Sequence, residues 1–228
     1  MTTTTPQPPR RDGIGFLVNA LRNRPRARIA LSILSVLLLL GGVALLAFPF
    51  ATNLYQDRLQ QRLDRQLASP ALRQAYKERR IQTGDSLTRI KIPAIGVDVV
   101  VVEGTTASAL RAGAGHYPGT PLPCEVGNVA IAGHRTTYGK PFANIDQLKP
   151  GDTIELDTPI GGCVYKIAPH AITVVDAAMP FIVTSNNIDV VKPTPDRTLT
   201  LTSCHPKGSA SHRIVIQATW EKDLPPVT

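Results

Sequence analysis

Cys204 closes the run Thr198–Ser203, TLTLTS, where an alternating strand gives way to the loop His205–His212. A reactive thiol needs partial exposure and a nearby base or cation, and a strand end supplies the exposure. The chain returns nine residues after Cys204 at Arg213, which opens a second β-type run. A hairpin of that shape sets both residues at one rim, where a guanidinium can donate to a developing oxyanion. The pair alone leaves a second reading open, that of a buried structural cysteine and a surface arginine. A cysteine nucleophile also needs a partner that raises its thiolate fraction and later protonates the leaving amine. The histidines are His116, His134, His170, His205 and His212, and sequence position alone does not choose among them. His205 and His212 are chain neighbours of Cys204 and Arg213, so strand geometry turns them to the opposite face. His134 follows the half-buried pattern NVAIAG and also stands at a strand end, which makes it the best placed. No CxxC or Cys/His ligand spacing occurs, so neither a metal nor a cofactor is expected.

The elements that must position these residues are short β-type runs. They cover Leu87–Ile92, Val97–Val102, Asn128–Gly133, Asp152–Asp157, Cys163–Ala168, Ala171–Asp176, Thr198–Ser203 and Arg213–Trp220. Turn formers separate them, among them Pro93, Gly96, Pro150-Gly151 and Gly161-Gly162. Eight short strands so punctuated predict a mainly β domain, a closed barrel or a sandwich. Short helical pieces are expected at Ala107–Arg111 and Pro141–Leu148. Residues 56–80 are charged and Gln-rich, with Leu59, Leu63 and Leu67 on one helix face and Pro70 as a break. They read either as a juxtamembrane stalk or as a segment packed on the domain.

The formal net charge is +8, but residues 1–28 hold six Arg and one Asp, so they carry +5 and the rest only +3. A nucleic-acid footprint needs a basic stripe on the folded domain, and none is evident. The basic tail instead precedes Ile29–Phe50, 22 residues without a charge. About 20 apolar residues span a bilayer, whereas a cleavable signal has an apolar region of roughly 7–15. The run therefore predicts an uncleaved signal anchor with a cytoplasmic N-terminus. The expected organisation is a basic tail at 1–28, a transmembrane anchor at 29–50, a stalk at 51–84, an extracellular domain at 85–222 and a tail at 223–228.

NVAIAGHRTTYG, followed some seventy residues later by TLTSC and then Arg213, resembles the sortase family of Gram-positive bacteria. The family's marks are a His after a strand, a TLxTC strand end and an Arg opening the next strand. They match His134, Cys204 and Arg213. GHYPGTPLP before the histidine and HRTTYG from it onward are most similar to the class E housekeeping sortases of actinobacteria. Ser203 stands where the family usually has Thr. The resemblance covers roughly residues 85–220 and implies an eight-stranded barrel behind a membrane anchor.

It also implies a reaction. Cys204 attacks the Thr carbonyl of a C-terminal LAxTG or LPxTG-like sorting motif on a secreted protein. His134 protonates the departing Gly amine, and Arg213 holds the oxyanion. An amine of a peptidoglycan precursor or a pilin Lys resolves the thioacyl-enzyme. Tyr117 occupies the position linked to LAxTG preference, and Thr202 and Ser203 join it as expected substrate-binding residues. An L,D-transpeptidase is the nearest enzyme rival, but its Arg stands two residues after its Cys. A non-catalytic, membrane-tethered β-barrel binding module is the other alternative. It leaves three strand-end residues unexplained. If Cys204 stays free outside the membrane, Cys124 and Cys163 remain as a possible disulfide, the other reading being two buried thiols. The segment 176–197 is long and weakly alternating, and is expected to wall the substrate pocket.

Overall fold

The computed structural model describes residues 25–167 and 181–226. The expected strand Ala171–Asp176, His170 and most of the basic tail lie outside the described residues. The chain divides into two units, one ending at Ala51 and the other beginning at Thr52. Helix α1 runs from Pro25 to Leu67. In the first unit its stretch Arg28–Ala47 is 20 residues long, has mean hydropathy 2.7 and contains no buried residue. At ~1.5 Å rise per residue that length matches a hydrocarbon core of about 30 Å.

In the second unit, every predicted strand that falls on described residues is present. The strands are β1 (Ser86–Ile92), β2 (Val97–Glu103), β3 (Ala114–His116), β4 (Gly127–Ala132) and β5 (Thr153–Thr158). They continue as β6 (Gly161–Ile167), β7 (Phe181–Thr184), β8 (Arg197–His205) and β9 (His212–Leu224). They neighbour one another in the order β6-β5-β1-β2-β3-β4-β8-β9, and a β6–β9 pairing closes these eight into a barrel. β9 is long enough to serve two partners: His212–Val215 pairs β7, and Ala218–Leu224 pairs β6. The expected frayed end therefore begins later than 223, because Asp223 and Leu224 still pair with Cys163 and Gly162.

Alternation sets the interior. Val129 and Ile131 of β4, Leu199 and Leu201 of β8, and Ile214, Ile216 and Ala218 of β9 all join one buried cluster. Burying the Val, Leu and Ile side chains among them contributes roughly 1.5–3 kcal/mol each relative to exposure. β2 breaks the alternation because both its faces are covered. Val101 lies in the barrel, while Val100 and Val102 pack against Leu63 of α1 and Ala109 of α3 (Ala107–Ala112).

Leu59 and Leu67 flank that contact, so the C-terminal part of α1 lies on the barrel. Glutamines fasten it. Gln60 donates to the Ala112 carbonyl at 2.9 Å and accepts from the Val100 amide at 2.8 Å. Gln66 accepts from the Ser86 amide at 3.1 Å. α2 (Pro70–Lys77) then starts with Ser69 as its cap and Pro70 at its head, as the proline predicts. The expected helix at Pro141–Leu148 reduces to a single 3-10 turn, Ile145–Gln147. Phe142, Ile145 and Leu148 are buried at a spacing of three, which suits that tighter turn. Cys124 and Cys163 are bridged, with Cα atoms 5.7 Å apart.

Candidate active site

On β8 the inward residues are Leu199, Leu201 and Ser203, so Thr198, Thr200, Thr202 and Cys204 line the outer face. β4 runs parallel to β8 with Ala132 beside Thr202. The pairing continues beyond the strand end, because the Gly133 amide donates to the Thr202 carbonyl at 3.0 Å. His134 follows two residues after Ala132, as Cys204 follows two residues after Thr202, so both lie at the same end of the two strands. On the other side β9 is antiparallel to β8, and Arg213 is the register partner of Cys204. Residues opposite one another share a face. A thiol and a guanidinium paired across β8 and β9, and an imidazole just past the end of β4, thus share one rim of the barrel.

Local packing places the histidine. A Cβ at Gly133 would stand 2.5 Å from Phe142 Cδ2, so only glycine lets that buried ring press against the backbone. The Phe142 amide donates to the His134 carbonyl at 3.1 Å and closes the loop between them. Ser203 Oγ donates to the Gly133 carbonyl at 2.7 Å, tying the end of β4 to β8 from within. Ser203 therefore faces away from the surface that carries Cys204. The His134 ring lies 5.1 Å from the Tyr138 ring, tilted by 48°. Burial lowers its pKa below the ordinary 6.5, favouring the neutral imidazole.

Cys204 is a free thiol of intermediate exposure. The Arg213 guanidinium donates through Nη1 to the carbonyls of Ala210 and His212, at 3.0 Å each. Its charge is at the rim, with Nη1 engaged by its own loop. The Tyr117 amide donates to the Ala130 carbonyl at 2.9 Å, which carries the tyrosine across β4. Its hydroxyl then meets Thr202 Oγ1 at 3.0 Å, two residues before the thiol. Deeper on the same face, Thr200 Oγ1 donates to Asn128 Oδ1 at 2.7 Å and accepts from Gln217 Nε2 at 3.3 Å. Asn128 also donates to the Val190 and Lys192 carbonyls, at 3.0 and 3.1 Å. It thereby pins part of the 176–197 segment over β4. On that segment and on β7, Ile188 and Ile182 are 71% and 51% exposed.

The other described histidines are engaged elsewhere. His116 is buried, with Nδ1 2.7 Å from Glu103 Oε2 and Nε2 2.9 Å from the Pro121 carbonyl. His212 Nδ1 lies 3.0 Å from Ser211 Oγ. His205 turns away from the thiol, as strand geometry requires, and its Nδ1 accepts from Arg135 at 3.1 Å. Arg135 is a residue that sequence reasoning missed. Its guanidinium is nearly wholly buried and pairs with Asp146 at 2.9 Å. Partial burial raises the Asp146 carboxyl, but the bond and charge of Arg135 outweigh it and hold the pKa below the ordinary value.

A thiol, a half-buried imidazole and a guanidinium at one rim of a β-barrel can perform nucleophilic acyl transfer. Residues 90–221 match the sortase domain family. Over 159 residues the chain is 30% identical to sortase SrtE1 of Streptomyces coelicolor, covering 63% of this chain and 43% of that relative. It thus spans less than half of that curated relative's length. Sortase E from Streptomyces avermitilis superposes with a TM-score of 0.55 at 31% identity, over 63% of this chain and 93% of that one. The sortase D5 transpeptidase of Clostridium perfringens superposes with a TM-score of 0.60 at 27% identity, over 73% and 98%. The chain belongs to the sortase family of cysteine transpeptidases. Its likeness to class E members agrees with the resemblance seen in the GHYPGTPLP and HRTTYG segments.

Proposed function

We propose that the protein is a membrane-anchored sortase whose catalytic residues are Cys204, His134 and Arg213. Neutral His134 takes the Cys204 thiol proton, the resulting thiolate attacks the Thr carbonyl of a sorting motif, and the carbonyl π electrons move to oxygen. Arg213 turns its guanidinium from its own loop toward that oxyanion. The Thr–Gly C–N bond then breaks, and protonated His134 delivers its proton to the Gly amine. An acceptor amine attacks the thioester, His134 takes a proton from it, and the Cys204 thiolate departs. The observation that supports this reading is the Cys204–Arg213 register pair beside the end of β4, from which His134 follows two residues on.

Tyr117 and Thr202, joined beside the thiol, are assigned to contact the motif, with preference for LAxTG over LPxTG. Ser203 contributes by holding Gly133, and through it the histidine. Ile182 and Ile188 offer apolar surface for the motif's first residue. The apolar stretch Arg28–Ala47 anchors the chain, and the basic residues before it keep the N-terminus cytoplasmic. The barrel then faces outward, where secreted proteins with C-terminal sorting signals meet it. A peptidoglycan precursor amine or a pilin Lys serves as acceptor, and a housekeeping wall-anchoring role fits best. Incubating the full chain in detergent with LAxTG and LPxTG peptides and an amine tests this. Cleavage between Thr and Gly with transfer to the amine is expected. Cleavage at another bond, or turnover that persists in Cys204→Ala, would overturn it.

A further inference from the structure

Cys204 and Arg213 share one hairpin, whereas His134 lies 70 positions before Cys204, and what holds it beside them is partly a residue outside the trio. Arg135 directly follows His134. It sits at the centre of a cluster that joins three segments: the chain after β4, the end of β8, and the 3-10 turn Ile145–Gln147. Nη1 donates to His205 Nδ1 at 3.1 Å and approaches the Cys204 carbonyl at 3.4 Å. Nη2 meets Asp146 Oδ2 at 2.9 Å. Arg135 has only donors, so His205 Nδ1 must be the acceptor, with its proton on Nε2. The contact fixes both the tautomer and the orientation of the residue next to the thiol.

This placement is not what stability alone would select. The Arg135 side chain is 3% exposed, whereas Asp146 is 41% exposed. Arg135 Nε is buried without a hydrogen-bond partner. A buried cation with an unmade bond and a solvated counter-ion is costly. Such local violations concentrate where a site needs a fixed geometry.

We infer that Arg135, braced by Asp146, is a positioning residue that holds His134 level with Cys204. The inference rests on the assignment of those two as the catalytic pair. Arg135 touches no reacting atom. It grips the backbone and side chain on the far side of β8, while its own backbone carries His134. Its loss lets the histidine loop slide relative to the end of β8. The Tyr117–Thr202 surface, built on β3, β4 and β8 short of this level, stays in place. The effect therefore falls on kcat and spares KM.

The test uses the full chain in detergent and compares Arg135→Met, Arg135→Lys and Asp146→Asn with wild type and Cys204→Ala. Two readouts are followed: turnover of a fluorogenic sorting-motif peptide, and the rate of Cys204 alkylation by iodoacetamide. Misplacement of reacting groups by about 1 Å costs on the order of 10²-fold. Both Arg135 variants should lose about 10–100-fold in kcat, with KM changed less than about threefold. Lysine should not rescue, because it lacks the planar fork that reaches both His205 and Asp146. Asp146→Asn should lose less, and nothing further when added to Arg135→Met. Alkylation should slow in Arg135→Met, and adding His134→Ala should then slow it less than in wild type. If Arg135→Met does not fold, Asp146→Asn decides, since its side chain is largely solvated. A folded Asp146→Asn with wild-type kcat and alkylation rate overturns the inference. So does a loss confined to KM. If Cys204→Ala is inactive while both Arg135 variants are fully active, only this inference fails. An active Cys204→Ala instead removes the assignment beneath it.

Discussion

Replacing Gly133 with alanine tests how the fold sets the histidine. The added Cβ would stand 2.5, 2.8 and 2.9 Å from three carbons of the Phe142 ring. Real Cβ atoms need well over 3 Å, so something must shift. Phe142 is 0% exposed and belongs to the main core with Ile145 and Leu148. A ring so buried yields little, so the backbone before His134 is expected to lift instead. Overpacking of this kind costs about 1–3 kcal/mol. For a domain of this size that lowers the melting temperature by roughly 2–12 °C. Activity should fall further than stability, because the lift occurs one residue before His134 and strains the Gly133–Thr202 and Ser203–Gly133 bonds. Scanning calorimetry and peptide turnover measured well below the melting point separate the two effects. Adding Phe142→Leu trims the ring and should restore part of the activity to Gly133→Ala. A Gly133→Ala protein with wild-type melting and turnover would refute this packing argument, and so would a double mutant no more active than the single one.

Three further predictions concern charge, covalent closure and specificity. Burial holds His134 below the ordinary 6.5, so in Cys204→Ala its NMR titration should fall under that value. Because the unfolded histidine gains its proton first as pH falls, His134's contribution to stability is present above about 6.5 and declines below it; a transition at or above 6.5 would contradict this. Thiol counting on denatured, unreduced protein should find one free thiol, Cys204. Replacing Cys124 and Cys163 by Ser should cost roughly 3–4 kcal/mol, since their bridge spans 39 residues; three free thiols would exclude the bridge. Shortening the segment that Asn128 pins at Val190 and Lys192 should change the ratio of LAxTG to LPxTG turnover, whereas an unchanged ratio would free that segment from specificity.

The β8 strand is legible in TLTLTS because its two faces meet different surroundings: Leu199 and Leu201 join the apolar core, while Thr200 and Thr202 are buried against polar partners on the other face. The same alternation gives β9 and places Cys204 and Arg213 at one rim. β3 carries no such signal, for Ala-Gly-His has neither period nor β-branched residues and forms only between neighbours on both sides. β2 shows the reverse difficulty. Its apolar run is plain, but the coverage by α1 that explains it rests on glutamines whose partners lie 40 or more residues away. The sequence left α1's packing open for that reason. Arg135 was hidden likewise. Next to His134 it reads as an ordinary surface charge, and its burial depends on His205, 70 positions on. Tyr117 and Thr202 came from resemblance rather than from spacing, since their hydroxyl contact spans 85 residues.

In the proposed reaction Cys204 carries the acyl group. The most direct test is to mix the full chain with an LAxTG peptide without amine acceptor, quench in acid and identify the modified residue by mass spectrometry. One adduct is expected, the peptide's part up to and including Thr joined as a thioester to Cys204. It should disappear on adding an amine, which then carries that fragment. An adduct on another residue, or cleavage without any adduct in a Cys204→Ala protein, would contradict it.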